Sequence, residues 1–162
     1  MVKRKGFTLL EISITLVIAS ILFGMGTYGY SSYVTKARVT DIETTSQIFL
    51  SDMQEVVSNK GFLTFELEID HDEVIYYLSE IEDKYLSFSL DIDNIEYLDN
   101  GFIVKSKDNF DGYQNPYHIY FATDISNPRV LFISPGVDGK VDYANYISGE
   151  FGDDIVMLIK ER

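Results

Sequence analysis

The feature that most constrains this chain is a long apolar segment close to its amino terminus. From Phe7 to Tyr30 the only charged side chain is Glu11, and Ile, Leu, Val, Ala and Phe dominate the rest. As one helix this segment would be ~36 Å long at ~1.5 Å per residue, enough to cross the hydrocarbon core of a bilayer with some tilt. The segment therefore predicts a membrane-spanning helix.

The residues before this segment predict its orientation. Lys3, Arg4 and Lys5 form a basic cluster directly in front of the apolar run. Basic residues flanking a membrane span are retained on the cytoplasmic side. The sequence therefore predicts a single pass, with the rest of the chain outside the cytoplasm.

Two simpler interpretations explain the segment less well. A removable secretory signal has an apolar core of ~7 to 15 residues followed by a small-x-small cleavage site, and it carries no acid near its start. This apolar run is longer, no such site follows it promptly, and Glu11 stands near its beginning. A plain membrane anchor is compatible with the length but leaves Glu11 unexplained.

Glu11 needs a partner if it lies in a membrane. An acidic side chain there costs roughly 2.5 to 3.5 kcal/mol on insertion scales, and such residues are usually functional. Cleavage after Gly6 would give Phe7 a new α-amino group, which is positively charged near neutral pH. Glu11 of one copy can meet that group on an axially staggered neighbour, so the pattern predicts a residue used in self-assembly.

Residues 3–11, Lys-Arg-Lys-Gly-Phe-Thr-Leu-Leu-Glu, closely resemble the prepilin signal of the type IV pilin family. In that family a membrane aspartic peptidase cuts after the glycine and methylates the new amino-terminal phenylalanine. The resemblance implies that Gly6 and Phe7 are the processing site and that Glu11 is the assembly residue. It divides the chain into a leader (1–6), a transmembrane and assembly helix (7–30) and a globular extracytoplasmic head (31–162).

The helix is expected to continue beyond the membrane. No proline interrupts the chain from Tyr30 to about Asn59. Apolar residues recur there at intervals of three, four and seven residues, which places them on one stripe of the helix. This stripe is expected to pack on a sheet. The stripe consists of Val39, Ile42, Phe49, Met53 and Val56.

The remainder of the head predicts a second helix followed by strands. Asp70 is a plausible helix cap, and apolar residues at helical spacing follow it at Val74, Ile75, Leu78, Ile81 and Tyr85. Strands are predicted at Ile95–Leu98, Phe102–Lys105, Tyr117–Ala122 and Arg129–Ser134, with the Asn100-Gly101 pair in a hairpin turn and loops at 108–116 and 134–154. This order predicts an α+β fold, a long helix packed on a small antiparallel sheet.

Two glycine- and aspartate-rich stretches near the carboxyl terminus, 134–140 and 149–155, are candidates for a calcium loop. Ca²⁺ takes ~6 to 8 oxygen ligands at about 2.3 to 2.6 Å, and glycines allow backbone carbonyls to turn inward. The spacing is not that of an EF-hand, and on spacing alone such stretches are more often solvated turns.

The carboxy-terminal half also resembles a particular branch of the pilin-like family. Residues 111–117, 134–139 and 153–155 are similar to the major pseudopilin of type II secretion systems, although Asp111-Gly112-Tyr113-Gln114 stands where that family usually has Asp-Pro-Trp-Gly. The resemblance implies a loop that binds Ca²⁺. Its ligands would be the carboxylates of Asp138, Asp153 and Asp154 and the carbonyl oxygens of Pro135 and Lys140.

Composition and motifs exclude several other functions. A net charge of −13 argues against binding to the phosphate backbone of nucleic acids, and the absence of cysteine excludes disulfides and thiolate sites. His71 and His118 are far apart in sequence, and no catalytic or phosphate-binding motif is present. We expect a structural protein rather than an enzyme, with His71 at a helix start and His118 on a strand.

Three functions remain open at this point. The first is a major pseudopilin whose periplasmic filament drives protein export, and the second is a major or minor subunit of a surface type IV pilus used for adhesion, motility or DNA uptake. The third, an anchored binding module that never polymerises, predicts that Glu11 is replaceable. For the first two the resemblance implies these partners: further copies of the chain, minor pilins or pseudopilins, a prepilin peptidase, an inner-membrane assembly platform and membrane lipid. Before assembly the subunit would lie in the inner membrane.

Overall fold

The computed structural model describes residues 8–64, 68–124, 128–141 and 155–160. By contacts within the chain it forms two compact units, the first ending at Ala37 and the second beginning at Arg38. The elements are α1 (Leu9–Lys60), α2 (His71–Lys84), β1 (Glu96–Leu98), β2 (Gly101–Phe110), β3 (Pro116–Ala122), β4 (Arg129–Ser134) and β5 (Ile155–Lys160). The predicted α+β class is confirmed.

The first unit contains the apolar part of α1. This helix holds an 18-residue window with a mean hydropathy of 2.1, none of it buried, so its length and composition suffice to cross a membrane. The helix runs unbroken through Gly24, Gly26 and Gly29, and a Cβ added at any of the three would meet nothing within 4 Å. The predicted apolar helix is therefore present as one continuous element.

In the second unit, α1 presents the predicted stripe to the core. Ile42, Phe49, Met53 and Val56 are fully buried, whereas Val39 is only half-buried. The gap between Ile42 and Phe49 is occupied by Ser46, which is buried and donates from its hydroxyl to the carbonyl of Glu43 at 2.8 Å. A serine whose hydroxyl is satisfied by its own helix can occupy a core position, and for that reason an apolar pattern does not detect it.

The head helix α2 has the predicted start. Asp70 accepts hydrogen bonds from the backbone N–H groups of Asp72 and Glu73 at 2.9 and 3.3 Å, and Val74, Leu78 and Ile81 are buried. Ile75, which the sequence places among the apolar residues at helical spacing, is 42% exposed and lies outside the core. One residue turns the helix by about 100°, and this rotation carries Ile75 off the stripe of Val74.

The five strands form one antiparallel sheet in the order β1-β2-β3-β4-β5. One face packs with α1 and α2 through a core that includes Phe102, Tyr117, Ile119, Phe121, Val130 and Phe132. The other face carries a second buried cluster of Ile103, Tyr120, Ala122, Leu131 and Ile133. Because the central strands are apolar on both faces, they appear in the sequence as nearly continuous apolar runs.

The β1–β2 hairpin differs in detail from its prediction. Leu98 pairs with Gly101, so the loop consists of Asp99 and Asn100, and Gly101 is the first residue of β2. A Cβ at Gly101 would lie 2.2 Å from the carbonyl oxygen of Phe121. Glycine is thus required for the close approach of β3, not for the turn.

The predicted loop at 108–116 was too long at both limits, whereas residues 142–154 of the predicted loop at 134–154 lie outside the described residues. Strand β2 continues to Phe110, with an irregular register between Lys105 and Phe110, and β5 follows at Ile155–Lys160 without having been predicted. The end of β2 is polar and exposed, so its sequence lacks the apolar alternation that indicates a strand.

Candidate functional site

The start of α1 is closed by a reciprocal pair of hydrogen bonds between Thr8 and Glu11. Oε2 of Glu11 accepts from the backbone N–H of Thr8 at 2.8 Å and from its hydroxyl at 2.9 Å. The Thr8 hydroxyl oxygen in turn accepts from the backbone N–H of Glu11 at 3.2 Å. This is a capping box, and the spacing Thr8-x-x-Glu11 is a sequence signal that would have predicted it.

The capping box lowers the free-energy cost of placing the Glu11 carboxylate in an apolar environment. A carboxylate in an apolar environment is tolerated when hydrogen bonds replace its lost hydration, and Thr8 supplies two donors within the same chain. Both donors meet one oxygen, so Oε1 can accept from a further donor such as a neighbouring amino terminus. Gly6 and Phe7 lie outside the described residues, and their role as the processing site stays a prediction, as does assembly through Glu11.

The turn after β4 contains three of the five predicted calcium ligands. Pro135 is buried, whereas Asp138 and Lys140 are exposed. Gly136 and Gly139 have φ values of 64° and 68°, which non-glycine residues rarely adopt. Oδ1 of Asp138 accepts from the backbone N–H of Lys140 at 2.9 Å.

This turn by itself is not a complete metal site. Within the described ranges, no group of three or more histidine or acidic side chains is arranged to hold a metal ion. In the predicted site, Asp138 would supply one carboxylate, and Pro135 and Lys140 would supply backbone carbonyls. Asp153 and Asp154, the two other predicted ligands, lie outside the described residues, so calcium binding stays a prediction.

A buried aspartate, Asp111, organises the loop that faces this turn. Asp111 is 1% exposed, and its Oδ1 accepts from the backbone N–H groups of Tyr113 and Asn115 at 2.8 and 2.9 Å. Its Oδ2 accepts from the hydroxyl of Ser134 at 2.8 Å. Three donors on one carboxylate offset the cost of burying its charge.

Asn115 adds a second link between the two loops. Its side-chain N–H donates to the carbonyl of Gly136 at 2.8 Å. Its amide oxygen lies 2.9 Å from where a Cβ at Gly139 would be, so the amide packs directly on that glycine. We call Asp111, Asn115 and Ser134 the Asp111 network; it holds residues 111–115 against the turn at 135–140.

The same loop lies against the helix at Arg38. The guanidinium carbon of Arg38 is 4.9 Å from the centre of the Tyr113 ring, a cation–π geometry. A Cβ at Gly112 would lie 2.6 Å from Cγ of Arg38. Gly112 thus permits close contact with the Arg38 stem, and Tyr113 stacks with its charged end.

The two histidines have the predicted positions. His71 is the first residue of α2, with its ring edge-on to Tyr97 at 3.8 Å between ring centres. His118 lies on β3 and is 8% exposed. Burial, with the positive charge of Lys105 on the neighbouring strand, lowers the pKa of His118 to about 4, so it is neutral at physiological pH.

Comparison with known proteins bears on the amino-terminal part of this description. The prokaryotic N-terminal methylation motif matches residues 1–27, the stretch that contains the Thr8–Glu11 capping box. This match supports a type IV pilin-like filament subunit. The pilin-like motif in general implies a homopolymeric filament and processing by a prepilin peptidase, and this family consists of structural subunits that are not known as enzymes.

The match and the apolar helix are together consistent with a pilin-like subunit anchored in the inner membrane before assembly. The motif ends at residue 27, before the second unit begins at Arg38, so it does not separate one kind of pilin-like filament from another. No curated protein and no solved structure matches the chain.

Proposed function

We propose that this pilin-like subunit is the major pseudopilin of a type II secretion pseudopilus, the filament that drives protein export. The observation that carries the proposal is the Asp111 network. It joins residues 111–115 to the turn at 135–140, and these are two of the segments whose sequences resemble the major pseudopilin. The absence of cysteine agrees with this assignment, because many surface pilins close their terminal loop with a disulfide.

In this function Glu11 guides assembly. The carboxylate of one subunit pairs with the amino terminus created on a neighbour by cleavage after Gly6. Oε1 of Glu11 accepts this contact, since both donors from Thr8 meet Oε2. The apolar helices then pack in the filament as they leave the bilayer.

The head binds Ca²⁺ in this proposal. Asp138 and the carbonyls of Pro135 and Lys140 form one side of the site, and Asp153 and Asp154 complete it. The donors are all oxygen atoms, which suit a hard cation such as Ca²⁺ better than a transition metal. The Asp111 network holds the turn that carries the first three ligands.

Complementation of a deletion strain tests the filament role. Glu11→Ala is expected to abolish filaments and export of the secreted proteins, while Asp93→Ala, an exposed change in the head, leaves both intact. Loss of surface fibres, adhesion or DNA uptake with export unchanged would favour a surface type IV pilus instead. Filament formation and export that are both unchanged by Glu11→Ala would remove assembly as the role of Glu11.

Calcium binding is tested on the full chain in detergent. A chelator is expected to lower the melting temperature, and added Ca²⁺ is expected to restore it. Asp138→Asn should reduce this response, whereas Asp93→Asn should retain it. A melting temperature that is insensitive to chelator and to Ca²⁺ would refute the calcium site without affecting the filament role.

A further inference from the structure

Three tyrosines stand together where the apolar run of α1 ends. Up to Ala37 the chain contains tyrosine only at positions 28, 30 and 33. Tyr28, Tyr30 and Tyr33 are 81%, 71% and 71% exposed. A tyrosine ring is apolar along its body and polar at its hydroxyl, so an exposed group of them favours an environment with one apolar and one wet side.

The axial position of these tyrosines matches the thickness of a bilayer. Leu9 and Tyr28 are separated along the helix by about 28 Å at about 1.5 Å per residue, close to the ~30 Å of the hydrocarbon core. Tyr33 lies only about 7 Å further, within the depth of the headgroup layer. The first charged residues after the apolar run, Lys36 and Arg38, come beyond all three.

The tyrosines also point in different directions around the helix. At about 100° per residue, Tyr33 lies about 140° and Tyr30 about 200° from Tyr28. A helix that docks on another protein buries a stripe that is roughly 100° wide, which cannot include all three rings. A lipid bilayer surrounds the helix and can contact every one of them.

The polar side chains of α1 that precede the tyrosines are compatible with lipid contact. Four hydroxyls lie between Leu9 and Tyr28, and each donates to a backbone carbonyl three or four residues earlier at 2.7 to 2.9 Å. They belong to Ser13, Thr15, Ser20 and Thr27. Since hydrocarbon offers no hydrogen bonds, such internal pairing is what a lipid-facing surface requires.

We infer that Tyr28, Tyr30 and Tyr33 form an interfacial belt that binds the headgroup region of the outer leaflet and fixes the depth of α1. The inference rests on the proposed membrane anchoring and extends it to a specific lipid-binding surface. The belt also places Glu11, since Tyr30 and Glu11 are about 28 Å apart along the helix. Glu11 is therefore held at the inner edge of the hydrocarbon rather than at its centre, where a carboxylate is most costly.

The chain contains no tryptophan, so a single tryptophan reports one position without interference. We would place it at Tyr28, Tyr30 or Tyr33 in the full chain, reconstituted in vesicles of phosphatidylethanolamine and phosphatidylglycerol. Lipids brominated near the headgroup or near the chain end quench it according to depth. Ile18→Trp serves as the mid-span control, and Tyr76→Trp, on exposed α2, as the control outside the membrane.

If the belt exists, tryptophan at each of the three positions is quenched most strongly by bromine near the headgroup. Tryptophan at position 30 should lie about 18 Å from tryptophan at position 18 along the helix. If the three belt probes are not quenched, or are quenched mainly by bromine near the chain end, while Ile18→Trp is quenched, the belt is refuted and membrane anchoring stands. No quenching at Ile18→Trp would overturn both. Belt quenching that disappears as the protein-to-lipid ratio rises would assign the surface to a second copy and so refute the proposal.

A second measurement tests whether the belt sets depth. Replacing the three tyrosines together by serine should broaden the depth profile of Ile18→Trp and shift it toward the shallow quencher. Tyr76→Ser, the same change on α2, should leave that profile as it was. Equal profiles in both variants would refute a role in fixing depth.

Discussion

At the scale of single residues, Asp111 is the side chain on which the loops of the head most depend. It is a buried carboxylate that satisfies two backbone N–H groups of its own loop and the hydroxyl of Ser134 at the end of β4. Removing one partner of such an arrangement leaves the others buried without hydrogen bonds, which is more costly than the net value of the bonds themselves.

Asp111→Ala is therefore expected to lower the free energy of unfolding of the head by about 1 to 3 kcal/mol for each donor that it leaves buried without a partner. Asp111→Asn keeps the size of the side chain and one oxygen acceptor, so it should lower the free energy of unfolding by less. Thermal unfolding of the full chain in detergent measures both, with Asp93→Ala as a matched exposed control that should change stability by less than about 0.5 kcal/mol. An Asp111→Ala variant as stable as this control would show that the network is not needed for the fold.

His118 predicts how the fold responds to acid. Its pKa is lowered by burial to about 4, so the native state keeps it neutral while the unfolded chain binds a proton below about pH 6.5. The stability it contributes is complete above pH 6.5 and is lost as the pH falls from 6.5 to 4. The full loss is of order 3 kcal/mol.

His118→Leu should accordingly reduce the drop in melting temperature between pH 7 and pH 5. His71→Leu, the same change at the exposed start of α2, should keep the drop of the parent chain. If the His118→Leu variant loses as much stability as the parent over this range, the buried neutral histidine is not responsible for the acid sensitivity.

At the scale of elements, the approach of β2 to β3 depends on Gly101. A Cβ there would lie 2.2 Å from the Phe121 carbonyl oxygen and 2.8 Å from the Tyr120 ring. Gly101→Ala must push the strands apart and should destabilise the head by about 1 to 3 kcal/mol, the range for overpacking. Gly29→Ala, in an open part of α1, should be neutral or stabilising. Melting of the two variants side by side checks the contrast.

The elements that were predicted are those with a strong local pattern. The α1 stripe, the Asp70 cap and the apolar strands β3 and β4 each bury residues at a fixed period, which the sequence displays directly. Strand β5 was missed because a short apolar run after a glycine-rich stretch is ambiguous. The Asp111 network joins residues 23 positions apart through hydrogen bonds, and no periodicity reports such a contact.

At the scale of the whole molecule, net charge would influence how copies approach each other in the proposed filament. The chain carries a net charge of −13, and removal of the leader would take away Lys3, Arg4 and Lys5 and make it more acidic. Heads of like charge repel in a filament, and salt screens exposed charges over about 8 to 10 Å at physiological ionic strength.

Filament formation by the processed subunit should therefore increase as monovalent salt is raised from low to physiological concentration. Sedimentation of filaments across a salt series measures the effect. A pair of exposed head substitutions, Asp93→Asn with Asp108→Asn, should weaken the salt dependence, whereas the single Tyr76→Phe should not. Filaments that fall apart as salt increases would show that attraction between heads dominates instead.

In the proposed filament, the capping box at the start of α1 limits the free energy that pairing of Glu11 with a neighbouring subunit can add. The Glu11 carboxylate already accepts two hydrogen bonds from Thr8, so a neighbouring subunit replaces one of these donors or adds a third. The net free energy of such an exchange of hydrogen bonds is small. Charge pairing of this kind discriminates between right and wrong neighbours more than it tightens their association. Glu11 would then set the axial register in which subunits join, while burial of the apolar helix surfaces would supply most of the free energy of association.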